Sequence, residues 1–116
     1  MRPSQIDFLR HIQAELAFLI EESEKVDYNE FVNHHLLSKA FTRSFEIIGE
    51  DSKNISNEFK QQHIEFDWRG FAGMRDKLIH NYWGIDTVLL WDAIKTEVPV
   101  NKEWIDLIIE QEENNP

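Results

Sequence analysis

The sequence predicts an all-α fold, a bundle of four to five helices, and three observations predict it. Apolar residues recur at three- and four-residue spacing along most of the chain. Turn-forming residues are scarce: four Gly and three Pro in 116 residues, with Pro3 and Pro116 at the chain ends. A many-stranded fold needs more turns than that. Finally, short polar residues followed three positions later by an acid precede the apolar runs, as at helix starts.

The first helix is expected from about Ser4 to Glu24. Ile6, Leu9, Ile12, Leu16 and Leu19 form its stripe, Phe8 and Phe18 widen it, and Ser4 with Asp7 marks its start. Asp27 and Glu30 repeat that signal before a second, longer helix bearing Phe31, Leu37, Phe41, Phe45 and Ile48. The polar stretch DSKNISNEF ends or bends it. A third helix is expected from Asp67 to about Tyr82. Asp86 or Thr87 then caps a short fourth one containing Val88, Trp91 and Ile94, which Pro99 stops. Asn101 caps a fifth with Trp104, Ile105, Ile108 and Ile109, and the tail EQEENNP frays. No repeat or linker interrupts the chain, so residues 1–116 read as a single helical domain.

Composition limits the function. The chain has no cysteine, which excludes disulfides and thiolate metal sites and points to the cytoplasm. Its opening MRPSQIDFLR lacks an apolar signal core, and no apolar run is long enough to span a membrane. Twelve Lys and Arg against 22 Asp and Glu give a net charge of −10. Affinity for phosphate comes mainly from cations, so this balance votes against a nonspecific nucleic-acid binder. It leaves room for a local basic cleft.

The third helix carries the most chemistry. On a wheel with Phe71 at zero, Trp68, Ala72, Met74, Leu78 and Ile79 fall to either side. Tyr82 and Arg75 fall at roughly 20° and 40°, inside the same apolar arc. An unpaired buried charge is costly, so Arg75 needs a carboxylate, a route to water, or a task. On the flank, Gly73, Asp76 and His80 group within roughly 60°. Asp76 and His80 are four residues apart, the spacing at which a carboxylate can orient an imidazole. Gly73 lacks a side chain and admits a close neighbour. Arg75 and His80 are separated by about 140° and roughly 7.5 Å of rise. A second copy across a two-fold axis would complete a shared cleft, which motivates a homodimer.

Other candidates are weaker. His34 and His35 are adjacent, point to different helix faces and lack ligand partners at metal-binding spacing. His11 and His63 read as isolated, solvent-facing residues. Trp83, Trp91 and Trp104 read as core or dimer contacts. Arg43 reads as an intrahelical partner of Glu46 or Glu50, with lining the cleft as the alternative.

The run from Arg75 to Tyr82 is R-x-x-x-x-H-x-Y. It resembles the signature of the HEPN superfamily, specifically the HepT-like toxins. FTRSFEIIGED, Phe41 to Asp51, is similar to that family's second-helix pattern. DWRGFAGMRDKLIHNYWGID, Asp67 to Asp86, is similar to its motif helix. Two positions depart: Asp51 stands where the family pattern has alanine, and Asp76 where asparagine is also common. The resemblance implies a HEPN-type homodimeric bundle acting as a metal-independent endoribonuclease, with no cofactor. It also implies a partner, a minimal nucleotidyltransferase antitoxin of the MntA type that transfers AMP to the motif tyrosine, here Tyr82. On this reading Arg75 binds the phosphate of the RNA substrate, His80 transfers protons and Asp76 orients His80. The alternative is a non-catalytic substrate-binding subunit of such a nucleotidyltransferase.

Overall fold

Ser4 starts the first helix as its spacing to Asp7 predicts. The Ser4 hydroxyl accepts from the Asp7 N–H, the Asp7 carboxylate accepts from the Ser4 N–H, and α1 runs from Gln5 to Ser23. The structure is a computed structural model that describes residues 4–79 and 84–114. Leu9, Ile12, Leu16 and Leu19 of α1 are fully buried.

The long second helix is divided. Asp27 and Glu30 form the expected capping box, but it opens only the short α2, Tyr28–Val32. The helix re-initiates after two residues, because the His34 Nδ1 accepts from the Leu37 N–H at 3.1 Å and caps α3, His35–Asn54. A one-turn helix, α4, follows at Asn57–Gln62, capped by the Ser56 hydroxyl. The motif helix α5 spans Trp68–Ile79, and the Asp67 carboxylate caps it through the Gly70 N–H.

The expected stop at Pro99 does not occur. A single helix, α6, spans Thr87–Asn114 with Pro99 inside it, opened by the Asp86 carboxylate on the Leu89 N–H. Pro99 leaves the Lys95 carbonyl without its usual helical donor. Burial holds the helix together across that gap: Ile94, Val98 and Ile105 are at most 1 % exposed. Asn101, expected to cap a new helix, is itself buried within α6. Its amide donates to the Glu97 carbonyl and accepts from the Asp67 N–H, each at 2.8 Å, tying α6 to the start of α5. The described residues thus hold six helices, two of them very short, rather than four or five.

Replacing Pro99, which is exposed, with alanine restores the missing N–H. We expect Pro99→Ala to stabilise the protein by about 2 kcal/mol, after allowing for the freer unfolded chain. A thermal melt followed by circular dichroism should show a rise of several degrees. A lower melting temperature would mean that the proline ring itself is a required contact.

The long helices pack in the order α6, α1, α3, α5, so α3 lies between α1 and α5. The aromatic core follows that order. Phe41 and Phe45 of α3 meet Phe31 on one side and Phe71 on the other. No strand and no helix long and apolar enough to cross a membrane occurs among the described residues. The fold is an all-α bundle, as the sequence predicts.

Candidate active site

Gly49 brings the motif helix against α3. A Cβ placed on Gly49 would lie 2.3 Å from the Arg75 Cβ and 2.8 Å from the Phe71 carbonyl oxygen. Only a residue without a side chain lets the two helices approach this closely. That contact clamps the Arg75 stem onto α3 within the apolar arc, beside the buried Phe71. The guanidinium emerges at the edge, leaving the side chain 28 % exposed. The charge has both of the outlets its position demanded, carboxylate partners and a route to water.

Its partners are two carboxylates. Arg75 Nη2 lies 3.0 Å from Glu50 Oε2, and Nη1 donates to Asp76 Oδ1 at 3.2 Å. Asp76 also accepts from Lys53 Nζ at 2.7 Å. The hydrogen bonds from Lys53 and then Arg75 hold the Asp76 carboxyl below its ordinary range. Asp76 is therefore ionised at neutral pH, and its described partners are both cations. His80 and Tyr82 lie outside the described residues, so the orientation of His80 by Asp76 stays an expectation.

Arg75 opens onto a groove of about 440 Å³. Its α3 wall carries Arg43, Glu46, Glu50 and Asp51, and His11 faces them from α1. Arg43 meets both of its expected roles, pairing with Glu46 at 3.4 Å and lining the groove. Each arginine here is matched by a glutamate. Each pair sits at the surface with one partner well exposed, and surface ion pairs hold with only about 0–1 kcal/mol. A phosphodiester bearing two acceptor oxygens can displace such a carboxylate at small cost.

Two residues of the groove escaped the sequence reading. His11 is not isolated: its Nδ1 sits 3.7 Å from Asp51 Oδ2. Asp51 is 8 % exposed, and its Oδ2 has no hydrogen-bond partner among the described residues. Burial pushes the Asp51 carboxyl up, opposed by His11 and reinforced by Glu50 and Glu15. The available signal was the departure from the alanine of the resembled pattern, an acid inside an otherwise small-residue position.

Two other histidines, His34 and His63, have structural roles. His34 caps α3. His63, expected to face solvent, is largely covered: its side chain is 12 % exposed, packs on Phe59 and approaches Glu112 at 3.4 Å. Its backbone carbonyl accepts from the Trp68 indole at 2.8 Å. Trp91 is a core contact as expected, stacked on Tyr28 and Phe31, while Trp104 stays 37 % exposed and Trp83 lies outside the described residues.

Residues 12–108 match the family model described as ribonuclease HepT-like. A candidate RNase of Caldanaerobacter subterraneus subsp. tengcongensis is 41 % identical over 105 residues, covering 90 % of this chain and 94 % of the relative. A candidate RNase of Methanocaldococcus jannaschii is 39 % identical over 101 residues, covering 87 % and 93 %. A candidate ribonuclease HepT of Thermococcus cleftensis is 40 % identical over 99 residues, covering 85 % and 90 %. No solved structure matches significantly. With a matching family model across most of its length and relatives aligned nearly end to end, the chain belongs to the HepT-like ribonuclease family of the HEPN superfamily.

Proposed function

We propose that this chain is the toxin of a toxin–antitoxin system, a metal-independent endoribonuclease of the cytoplasm. The observation that carries the reading is Arg75: a guanidinium seated by Gly49 in an apolar arc, with its head at the mouth of a groove. Family membership and the printed names of the relatives support the same activity.

The chemistry needs only groups that this chain and its substrate supply. RNA carries its own nucleophile, the 2′-hydroxyl. Arg75 exchanges Glu50 for two phosphate oxygens and stabilises the charge that develops at phosphorus. His80 transfers a proton at a reacting oxygen. The 2′-oxygen bonds to phosphorus, the bond to the 5′-oxygen breaks, and the products are a 2′,3′-cyclic phosphate and a 5′-hydroxyl. Asp76 acts on His80 as a positioning residue while it holds Arg75. The roughly 140° between Arg75 and His80 on a regular helix favours a homodimer, in which two copies furnish one cleft.

Regulation follows from Tyr82. A cognate nucleotidyltransferase antitoxin transfers AMP from ATP to its phenol, releasing pyrophosphate, and the added charge and bulk exclude the substrate phosphate. A second reading, a non-catalytic substrate-binding subunit of that transferase, is favoured by one observation. Both groove arginines already hold carboxylates, in a chain of net charge −10.

The two readings separate on expression of the chain alone. We expect wild type to arrest growth and to cleave RNA in the presence of a chelator, and His80→Ala to lose about a hundredfold or more of that cleavage. A harmless wild type that leaves RNA intact would sink the nuclease reading. Mass spectrometry after co-expression with the transferase should find AMP on Tyr82; an unmodified Tyr82 would remove the regulatory arm.

A further inference from the structure

In-line cleavage of RNA moves two protons, one off the 2′-hydroxyl and one onto the departing 5′-oxygen. The sequence motif supplies one imidazole per chain, His80. The groove that receives Arg75 holds another, on a different helix. We propose that His11 is the general acid of the ribonuclease, protonating the 5′-oxygen, and that buried Asp51 positions it. This rests on the ribonuclease reading above and adds to it a proton-transfer group from α1.

Three observations carry the assignment. His11 and Arg75 line the same groove from opposite sides, with α3 as its floor. The His11 Nδ1 faces Asp51 at 3.7 Å, so Nε2, across the ring, is the nitrogen free for substrate; the side chain is 63 % exposed. Asp51 is 8 % exposed, its Oδ2 accepts no hydrogen bond from any described residue, and it stands where the resembled pattern has alanine. An unpartnered buried carboxylate oxygen destabilises a fold, and residues of that kind persist at sites of function. Aimed at an imidazole, it fixes the ring and balances the charge whenever the ring carries a proton.

The step is balanced. His80 takes the 2′-hydroxyl proton as the 2′-oxygen bonds to phosphorus. The phosphorus–5′-oxygen bond breaks, and the leaving oxygen receives the proton of the His11 imidazolium. The charged groups around His11 are Asp7 and Glu15 on α1, Glu50 and Asp51 on α3, and, across the groove, Arg43, Glu46 and Arg75.

Steady-state cleavage by the full chain tests this on two substrates over about pH 5–9. One is a diribonucleotide, whose 5′-oxygen needs a proton to leave. The other is a uridine 3′-(4-nitrophenyl) phosphate, whose phenolate leaves without one. We expect His11→Gln to lower kcat/KM on the diribonucleotide about a hundredfold and to remove the alkaline limb of its pH profile. On the nitrophenyl ester the same variant should approach wild type. Equal losses on both substrates, or a diribonucleotide rate within about twofold of wild type, would overturn the assignment while leaving the ribonuclease reading intact. A wild type inert on both would instead remove the underlying reading.

Asp51→Asn separates positioning from folding. A carboxyl raised above its ordinary value of 3.8 lowers stability as pH rises through that window, because the native state then holds more protons than the unfolded one. Asparagine removes that loss. Asp51→Asn should therefore melt higher than wild type at about pH 7 and no higher at about pH 3, while cleaving the diribonucleotide about tenfold more slowly. A variant that is both more stable and fully active would show that Asp51 positions nothing.

Discussion

Arg75→Lys should lower RNA cleavage by about a thousandfold while leaving the melting temperature within a few degrees of wild type. The two side chains share a charge and much of a stem, so packing against Gly49 survives. What differs is the head. The guanidinium is a planar fork that already spans two carboxylates, Glu50 at 3.0 Å and Asp76 at 3.2 Å, through separate nitrogens. The same fork fits two phosphate oxygens at once, and an ammonium does not. Loss of charge stabilisation in the transition state lowers kcat more than it raises KM. If Arg75→Lys cleaves at the wild-type rate, the groove needs only a cation, and Arg75 has no specific part in the chemistry.

The largest effect on stability is expected at Gly49. Gly49→Ala places a methyl group 2.3 Å from the Arg75 Cβ and 2.8 Å from the Phe71 carbonyl oxygen. Neither neighbour is the far end of a flexible chain, so α5 must move away from α3. That strips cover from the Phe45–Phe71 contact, whose ring centres are 6.3 Å apart. We expect a loss of about 3 kcal/mol and a melting temperature lower by about 10 °C. Cleavage should fall as well, because the helix that carries Arg75 is displaced. Gly73 provides the control on the same helix pair, since a Cβ there meets nothing within 4 Å among the described residues. Gly73→Ala should be neutral or stabilising by up to about 1 kcal/mol, the ordinary gain of alanine over glycine in a helix. Equal effects at both glycines would mean that helix propensity, not close approach, governs Gly49.

Much of this architecture was legible in the sequence, and the parts that were not share a cause. The Ser4–Asp7 box marked the true start of α1, because a capping box is local. Arg75 stood out because the period of α5 put a charge among apolar neighbours, and the structure keeps it on that face. Local signals failed where burial outweighed them. Pro99 would stop an isolated helix, yet core residues on both sides of it hold α6 in one piece. Asn101 has a helix-capping side chain, and the fold spends it on joining α6 to α5. The Asp27 box did open a helix, but the His34 side chain re-capped the chain seven residues later, an unusual use of imidazole. The His11–Asp51 pair was out of reach for a different reason. Its members are 40 positions apart on neighbouring helices, and periodicity describes each helix without saying which face meets which.

The acidity of the chain is compatible with the proposed chemistry on local grounds. Arg43, Lys53 and Arg75 lie within or beside one groove, and surface carboxylates hold them loosely. RNA affinity then depends on exchange of partners within the groove rather than on the net charge of −10. Such binding should be weak and salt-sensitive, as suits an enzyme whose selectivity lies in the reaction step.

The central claim is that RNA is cut by its own 2′-hydroxyl in the groove of Arg75. The direct test is to incubate the purified chain, with chelator present, with one oligonucleotide made as RNA and as its 2′-O-methyl counterpart, and to identify the new ends. The account predicts a 2′,3′-cyclic phosphate and a 5′-hydroxyl from the RNA and an intact methylated strand. Cleavage of both strands, or new ends carrying a 5′-phosphate, would contradict it.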